Sequence, residues 1–174
     1  VDGCQGLVHG GVDVRAMDSG FYGVSGHKRY GPTGIGVLYG KRELLERMPP
    51  FMGGGDMVDT VTFARTTYAP VPLKFEAGTA NCVGAIGLGE AVKFMQRFDP
   101  AEIEAHEEAL LHRAPARLEG LGGLRISGTA PGHCAILSFH VAGVPPYAMG
   151  LLLATLGICI RTGPPLPEPV MAHT

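Results

Sequence analysis

Residues 21 to 40 read FYGVSGHKRYGPTGIGVLYG, and this stretch limits the possible folds more than any other in the chain. Two short apolar runs, FYGV and GIGVLYG, read as buried strands. The segment between them sets one lysine, Lys28, among a hydroxyl, an imidazole, a proline and several glycines. Glycine allows tight backbone geometry and Pro32 fixes its own φ, so the connection must be a rigid turn. A loop lysine is ordinarily a solvated charge. Here Ser25 and His27 can both donate hydrogen bonds to an anion, and Gly26 lets a backbone approach it closely.

Similar punctuation organises the rest of the chain. Its 27 glycines and 14 prolines include clusters at 31–36, 53–55 and 163–169, which mark turns without forming a repeat. VDVRAMD at 12–18 alternates as a half-exposed strand or short connection would. KRELLERM reads as a short helix ended by Pro49-Pro50, and CVGAIGLGEAVKFMQRF has helical spacing. Asp99-Pro100-Ala101-Glu102 combines a cap residue, an early proline and a glutamate, so a helix should start there. Pro115 is expected to kink or stop that helix. LRIS, CAILSFHV and ICIR read as strands, and PPYAMGLLLATLG as a helix closed by Gly157. The alternation predicts an α/β layered fold. Glycine-rich loops give way to a charged helix near residue 95, which places a domain boundary between 1–95 and 96–174.

Charge and composition narrow the function classes. Lysine plus arginine number 14 against 16 acidic residues, so the net charge of −2 offers no field for nucleic acid or an anionic membrane. No apolar run reaches the ~18 residues needed to cross a bilayer. VDGCQG has neither the basic start nor the apolar core of a signal peptide. Cys4, Cys82, Cys134 and Cys159 form no CxxC pair, and the expectation is reduced thiols in a cytoplasmic protein. His106, His112 and His133-Cys134 lack the partners of a metal shell. GPTGIG precedes a strand and GVLYGKR lacks a serine or threonine, so neither is a nucleotide loop.

Val1-Asp2-Gly3 reads as the end of a strand entering a turn, where side chains of an α/β sheet face the ligand crevice. A plain turn-forming aspartate is the alternative. Taken in order, however, VDGCQ, SGHKRYGPTGIGVLYG, GGGDM and FEAGTAN resemble the class V aminotransferase-type enzymes that use pyridoxal 5′-phosphate (PLP). The nearest resemblance is to group II cysteine desulfurases and selenocysteine lyases. It implies fold type I, with 1–95 belonging to the cofactor-binding large domain and 96–174 to a partial small α/β domain. By the same resemblance, Lys28 carries the cofactor as a Schiff base, Asp2 pairs with its ring nitrogen and Gln5 faces its phenolic oxygen. Ser25 and His27 hold the phosphate, Gly78 and Thr79 reach the phosphate of a neighbouring subunit, and Arg161 stands on the substrate side. A lysine that attacks must be neutral, and burial near other cations would favour that form.

The chain departs from this pattern in two places. Where the desulfurases carry two histidines and then a sulfur-accepting cysteine, it reads RTGPPLP, with Leu166 at the cysteine position. Family members are more than twice as long, so the chain is expected to be partial and inactive in isolation. The expected function is therefore that of a desulfurase-like protein, whose parental reaction takes L-cysteine to L-alanine and leaves a persulfide on the enzyme. One alternative is a selenocysteine lyase or other β-elimination enzyme that needs no protein thiol. Another is a non-catalytic remnant acting as an interaction module. The implied partners are a small amino-acid substrate, cysteine or selenocysteine, a second copy in a homodimer and a sulfur-acceptor protein in sulfur metabolism or iron–sulfur cluster assembly. Nucleic acid and membrane are not among them.

Overall fold

The computed structural model describes residues 1–128 and 130–163. The chain divides into two compact units, Val1–Ile103 and Glu104–Thr174.

The first unit is built around β1 (Phe21–Ser25) and β2 (Gly36–Gly40), which pair antiparallel from Phe21 opposite Gly40 to Ser25 opposite Gly36. Tyr22 faces Tyr39 and Val24 faces Val37, cross-strand pairs that favour this register. On the other edge of β1, Asp2 bridges to Gly23 in parallel. Gly3 N donates to Gly23 O at 2.8 Å and Gly23 N to Val1 O at 3.1 Å. The phenol ring of Tyr22 lies so close to Gly3 that a Cβ there would fall 2.0 Å from the ring. Both strands flank the lysine turn as expected, but Tyr22 is their one buried residue. Val37 is 53% exposed and Leu38 67%; successive side chains point to opposite faces, so the described residues cover neither face of β2 there.

Of the two expectations for residues 12–18, the short connection holds: between Gly10 and Ser19 the chain makes a turn in which Asp13 Oδ1 accepts the N–H of Arg15 at 2.8 Å. Helix α1 (Gly6–His9) precedes it, and α2 (Arg42–Arg47) follows β2 and ends before Pro49-Pro50. Lys74 Nζ donates to the carbonyls of Glu46 and Met48 at the end of α2, at 3.0 and 2.8 Å. Strands β3 (Val58–Val61) and β4 (Thr66–Tyr68) make an antiparallel hairpin that the sequence reading did not anticipate. Thr62 and Arg65 close its turn through Thr62 N to Arg65 O at 2.9 Å and Thr62 Oγ1 to Arg65 O at 2.8 Å. Helix α3 (Cys82–Met95) follows. Tyr22, Met57 and Ala91 are the buried apolar side chains among the described residues.

Helix α4 (Pro100–Leu118) runs from the first unit into the second. Asp99 Oδ1 accepts from Ala101 N at 2.9 Å, the cap expected from sequence. Pro115 does not end the helix, which continues to Leu118. A proline removes one amide and disturbs one carbonyl four residues back, here that of Leu111. The neighbours Ala114 and Ala116 are strong helix formers, and Glu119 N still reaches Pro115 O at 2.9 Å. In the second unit β5 (Leu124–Ser127) pairs antiparallel with β6 (Ser138–Val141), so only the second half of CAILSFHV is a strand. ICIR forms no strand. Helix α5 (Pro146–Thr155) is followed by Gly157 at φ +74°, the left-handed stop expected there. No described helix is long and apolar enough to cross a membrane.

Candidate active site

The carboxyl end of β1 gathers most of the candidate residues. Asp2 Oδ1 accepts the backbone N–H of Cys4 at 3.0 Å. That bond, a hydrogen bond from the Cys4 side chain and the positive charge of Lys28 hold the Asp2 carboxyl below the usual carboxylate range. The acid is therefore ionised at neutral pH. Cys4 Sγ also lies 3.2 Å from Ser25 Oγ, joining the first segment to the last residue of β1.

From Ser25 the chain enters a single 3₁₀ turn, Gly26–Arg29, which carries His27 and Lys28. Glycine is required at its first position, since a Cβ on Gly26 would stand 2.9 Å from Ile35 O. Gly26 N donates to Ile35 O at 2.9 Å, and Gly31 N donates back to Gly26 O at 3.0 Å, so the loop closes on itself. Tyr30 leaves the turn at φ +59°, a left-handed conformation uncommon for a residue with a side chain. The Arg29 guanidinium donates to the Leu7 carbonyl and ties the turn to α1, at whose start Gln5 stands. Asp2, Gln5, Ser25, His27 and Lys28 thus belong to one neighbourhood.

The remaining candidates lie elsewhere. Gly78, at φ +78°, donates its N–H to Gly55 O at 2.9 Å, and Thr79 follows it, exposed. The GGGDM and FEAGTAN segments therefore form a second cluster in the same unit. Arg161 belongs to the second unit. Leu166 lies outside the described residues. Lys28 is exposed, so the burial expected around it is not supplied by the described residues. A shallow depression of about 590 Å³ lies alongside, lined by Asp2, Cys4, Val24, Val37 and Leu38 among others. Asp2 and Cys4 line it, and neither Lys28 nor His27 does.

Two residues at the site escaped the sequence reading. Cys4 stands between two residues that it picked out, with nothing but adjacency to flag it. Asn81 closes the quoted segment FEAGTAN. Its side chain both caps α3, accepting from Gly84 N at 2.9 Å, and donates to Gly34 O at 3.2 Å. An asparagine just before a helical pattern is a cap signal, though its second bond is invisible in sequence.

Residues 1–174 match the family model of Aminotransferase class-V. The chain is 46% identical over 171 residues to a cysteine desulfurase of Synechococcus elongatus, covering 98% of this chain and 27% of that protein. It is likewise 46% identical over 171 residues to a probable cysteine desulfurase of Vibrio cholerae, covering 98% of this chain and 42% of that protein. The crystal structure of the cysteine desulfurase CsdA from Escherichia coli matches with a TM-score of 0.87 at 45% identity, over 92% of this chain and 40% of that one. The chain thus spans between a quarter and somewhat over two-fifths of the length of these relatives. Sequence, backbone and the local order of the lysine turn agree: the chain belongs to the class V aminotransferase family of pyridoxal 5′-phosphate-dependent enzymes, with the fold type I architecture of its cysteine desulfurases.

Proposed function

We propose that this chain is the lysine-bearing portion of a PLP-dependent cysteine desulfurase-like enzyme. The reading rests on one observation above others: Asp2 pairs beside Gly23 of β1, Lys28 lies in the turn that leaves the same strand, and the lysine charge adds to the Cys4 hydrogen bonds that lower the acid. The groups present suit the cofactor. Asp2, held ionised by Cys4, matches a cationic ring nitrogen, and Gln5 offers an amide to the phenolic oxygen. Ser25 Oγ and the His27 imidazole suit a phosphate, with Gly26 leaving the backbone open beside them. Lys28 offers the primary amine that an aldehyde requires, and the same amine later holds and moves the proton at the substrate Cα. The bound cofactor supplies an electron sink for breaking a bond at that carbon.

In this reading 1–95 is part of the large domain and 96–174 part of the small one. Gly78 and Thr79 serve the phosphate of a neighbouring subunit in a homodimer, and Arg161 faces a small amino-acid substrate, cysteine or selenocysteine. The setting is cytoplasmic, with Cys4, Cys82, Cys134 and Cys159 all unbridged, and the sulfur passes to an acceptor protein. Leu166 favours a second reading, because leucine cannot carry a persulfide. There the product leaves by elimination without a protein thiol.

Reductive trapping tests the core of the reading. Borohydride added to the chain with pyridoxal 5′-phosphate should leave the pyridoxyl group on the peptide containing Lys28 in preference to those of Lys41, Lys74 and Lys93. Equal labelling of all four would overturn it and favour a non-catalytic remnant. The segment can then replace its counterpart in the Vibrio cholerae relative. Alanine formed from cysteine only after Leu166→Cys supports the desulfurase, and product formed without that change supports the thiol-free enzyme.

A further inference from the structure

The turn that carries Lys28 is tied at two points. One is its own closure, Gly26 N to Ile35 O and Gly31 N to Gly26 O. The other comes from a residue far along the chain. Asn81 Nδ2 donates to the carbonyl of Gly34, within the loop that runs from Gly26 to Ile35, while its Oδ1 accepts from Gly84 N in α3. The backbone N–H can only donate, which fixes which end of the amide faces which partner. Both partners are built to receive it. Gly34 holds φ at +77°, a conformation that favours glycine. A Cβ on Gly84 would fall 2.4 Å from Asn81 Nδ2, so only glycine leaves room for the amide. The next turn of α3 continues the contact, with Leu88 reaching Gly31 and Pro32 lying against Gly87.

We propose that Asn81 is a positioning residue for Lys28: it seats the lysine loop on the first turns of α3 and so sets the aim of the amine. This rests on the reading of Lys28 as the cofactor lysine. The two bonds of the amide make the role separable from helix capping. Asn81→Asp and Asn81→Ser both keep an oxygen to accept from Gly84 N, and both lose the donor to Gly34 O. Aspartate sets an acceptor against that carbonyl, and serine is too short to reach it.

The test is run on the chain itself with two readouts. Amide hydrogen exchange should accelerate at Gly26 and Gly31 by up to about tenfold in both variants, the scale of one lost hydrogen bond, while Gly84 stays protected. Borohydride trapping of pyridoxal 5′-phosphate should lose its preference for Lys28 over Lys41, Lys74 and Lys93. Unchanged exchange at Gly26 and Gly31 overturns the proposal whatever the cofactor does. Wild-type preference for Lys28 that persists undiminished in both variants also overturns it. A wild-type chain with no preference overturns the cofactor reading, and with it any role for Asn81 in aiming the amine.

Discussion

Around Lys28 nearly every stretch of backbone is tied to a neighbour, whereas α5, at least as apolar in sequence, buries none of its residues. The lysine turn is held by hydrogen bonds at Gly26, Gly31 and Gly34, by Arg29 on Leu7 and by glycines that admit close approach. Helix α5 leaves Tyr147 70%, Leu151 55% and Leu152 59% exposed. Polar ties with fixed geometry are local and form within this chain. Apolar burial needs a second surface, and area removed from water drives it without regard to direction. A segment spanning so limited a part of its relatives' length can therefore shape a site in detail while leaving helix faces uncovered.

Replacing buried against exposed apolar residues tests that contrast most strongly. Met57, the residue before β3, is fully buried, and Met57→Ala should cost about 2–5 kcal/mol in a urea unfolding experiment on the chain. Leu152→Ala on α5 should stay within ~0.5 kcal/mol. Comparable losses at the two positions would break the comparison. Gly3→Ala comes next. Its Cβ would enter the space of the buried Tyr22 ring, 2.0 Å from Cε1, and overpacking of this kind should cost roughly 1–3 kcal/mol. The same change should also move Asp2, its neighbour, and weaken reductive labelling at Lys28.

The division between local ties and absent cover also explains what the sequence disclosed. The strands FYGVS and GVLYG, the 3₁₀ turn between them and the cap at Asp99 depend on residues a few positions apart, and their glycines, prolines and cap residues mark them. Burial of those strands was misjudged because an apolar run reads the same whether or not another surface covers it. The β3–β4 hairpin was missed although TVTFARTTY is rich in β-branched residues, since its turn lacks glycine, proline and asparagine. ICIR shows the converse, strand-like residues with no partner strand among those described. Asp2 and Lys28 were legible as a pair only through the order of the motifs. The tie from Asn81 to Gly34 joins residues 47 positions apart, and no local pattern could reveal it.

A smaller effect is expected where a single side chain supplies the tie. Lys74 donates to the carbonyls of Glu46 and Met48 and lies over the Phe75 ring at 5.1 Å. Lys74→Met keeps the apolar stem and removes the donors, so the loss should be about 0.5–1.5 kcal/mol by urea unfolding. A neutral outcome would mean that water replaces the lysine at the end of α2 without cost, and that not every polar tie in this unit matters.

The least costly tie to lose should be the exposed ion pair between Lys41 and Asp18, which links the start of α2 to the turn before β1. Hydrogen bonding and charge from Lys41 lower the Asp18 carboxyl below its ordinary value of 3.8, and Asp18 raises Lys41 above 10.5. The signs fix the pH window. The depressed acid contributes stability above its unfolded value and loses it as pH falls through its folded one. The raised amine contributes below its unfolded value and loses it as pH rises through its folded one. The pair therefore acts across the neutral range and fades at both extremes. Asp18 sits at φ +50°, so Asn, which tolerates the left-handed region, is the substitution that removes charge without adding backbone strain. Stability curves of the chain and Asp18→Asn should separate slightly at neutral pH, converge in strong acid, and also converge near ~1 M salt, where the screening length falls to about 3 Å. A separation that survives both acid and salt would show that Asp18 acts through an uncharged contact of its side chain and not through its charge.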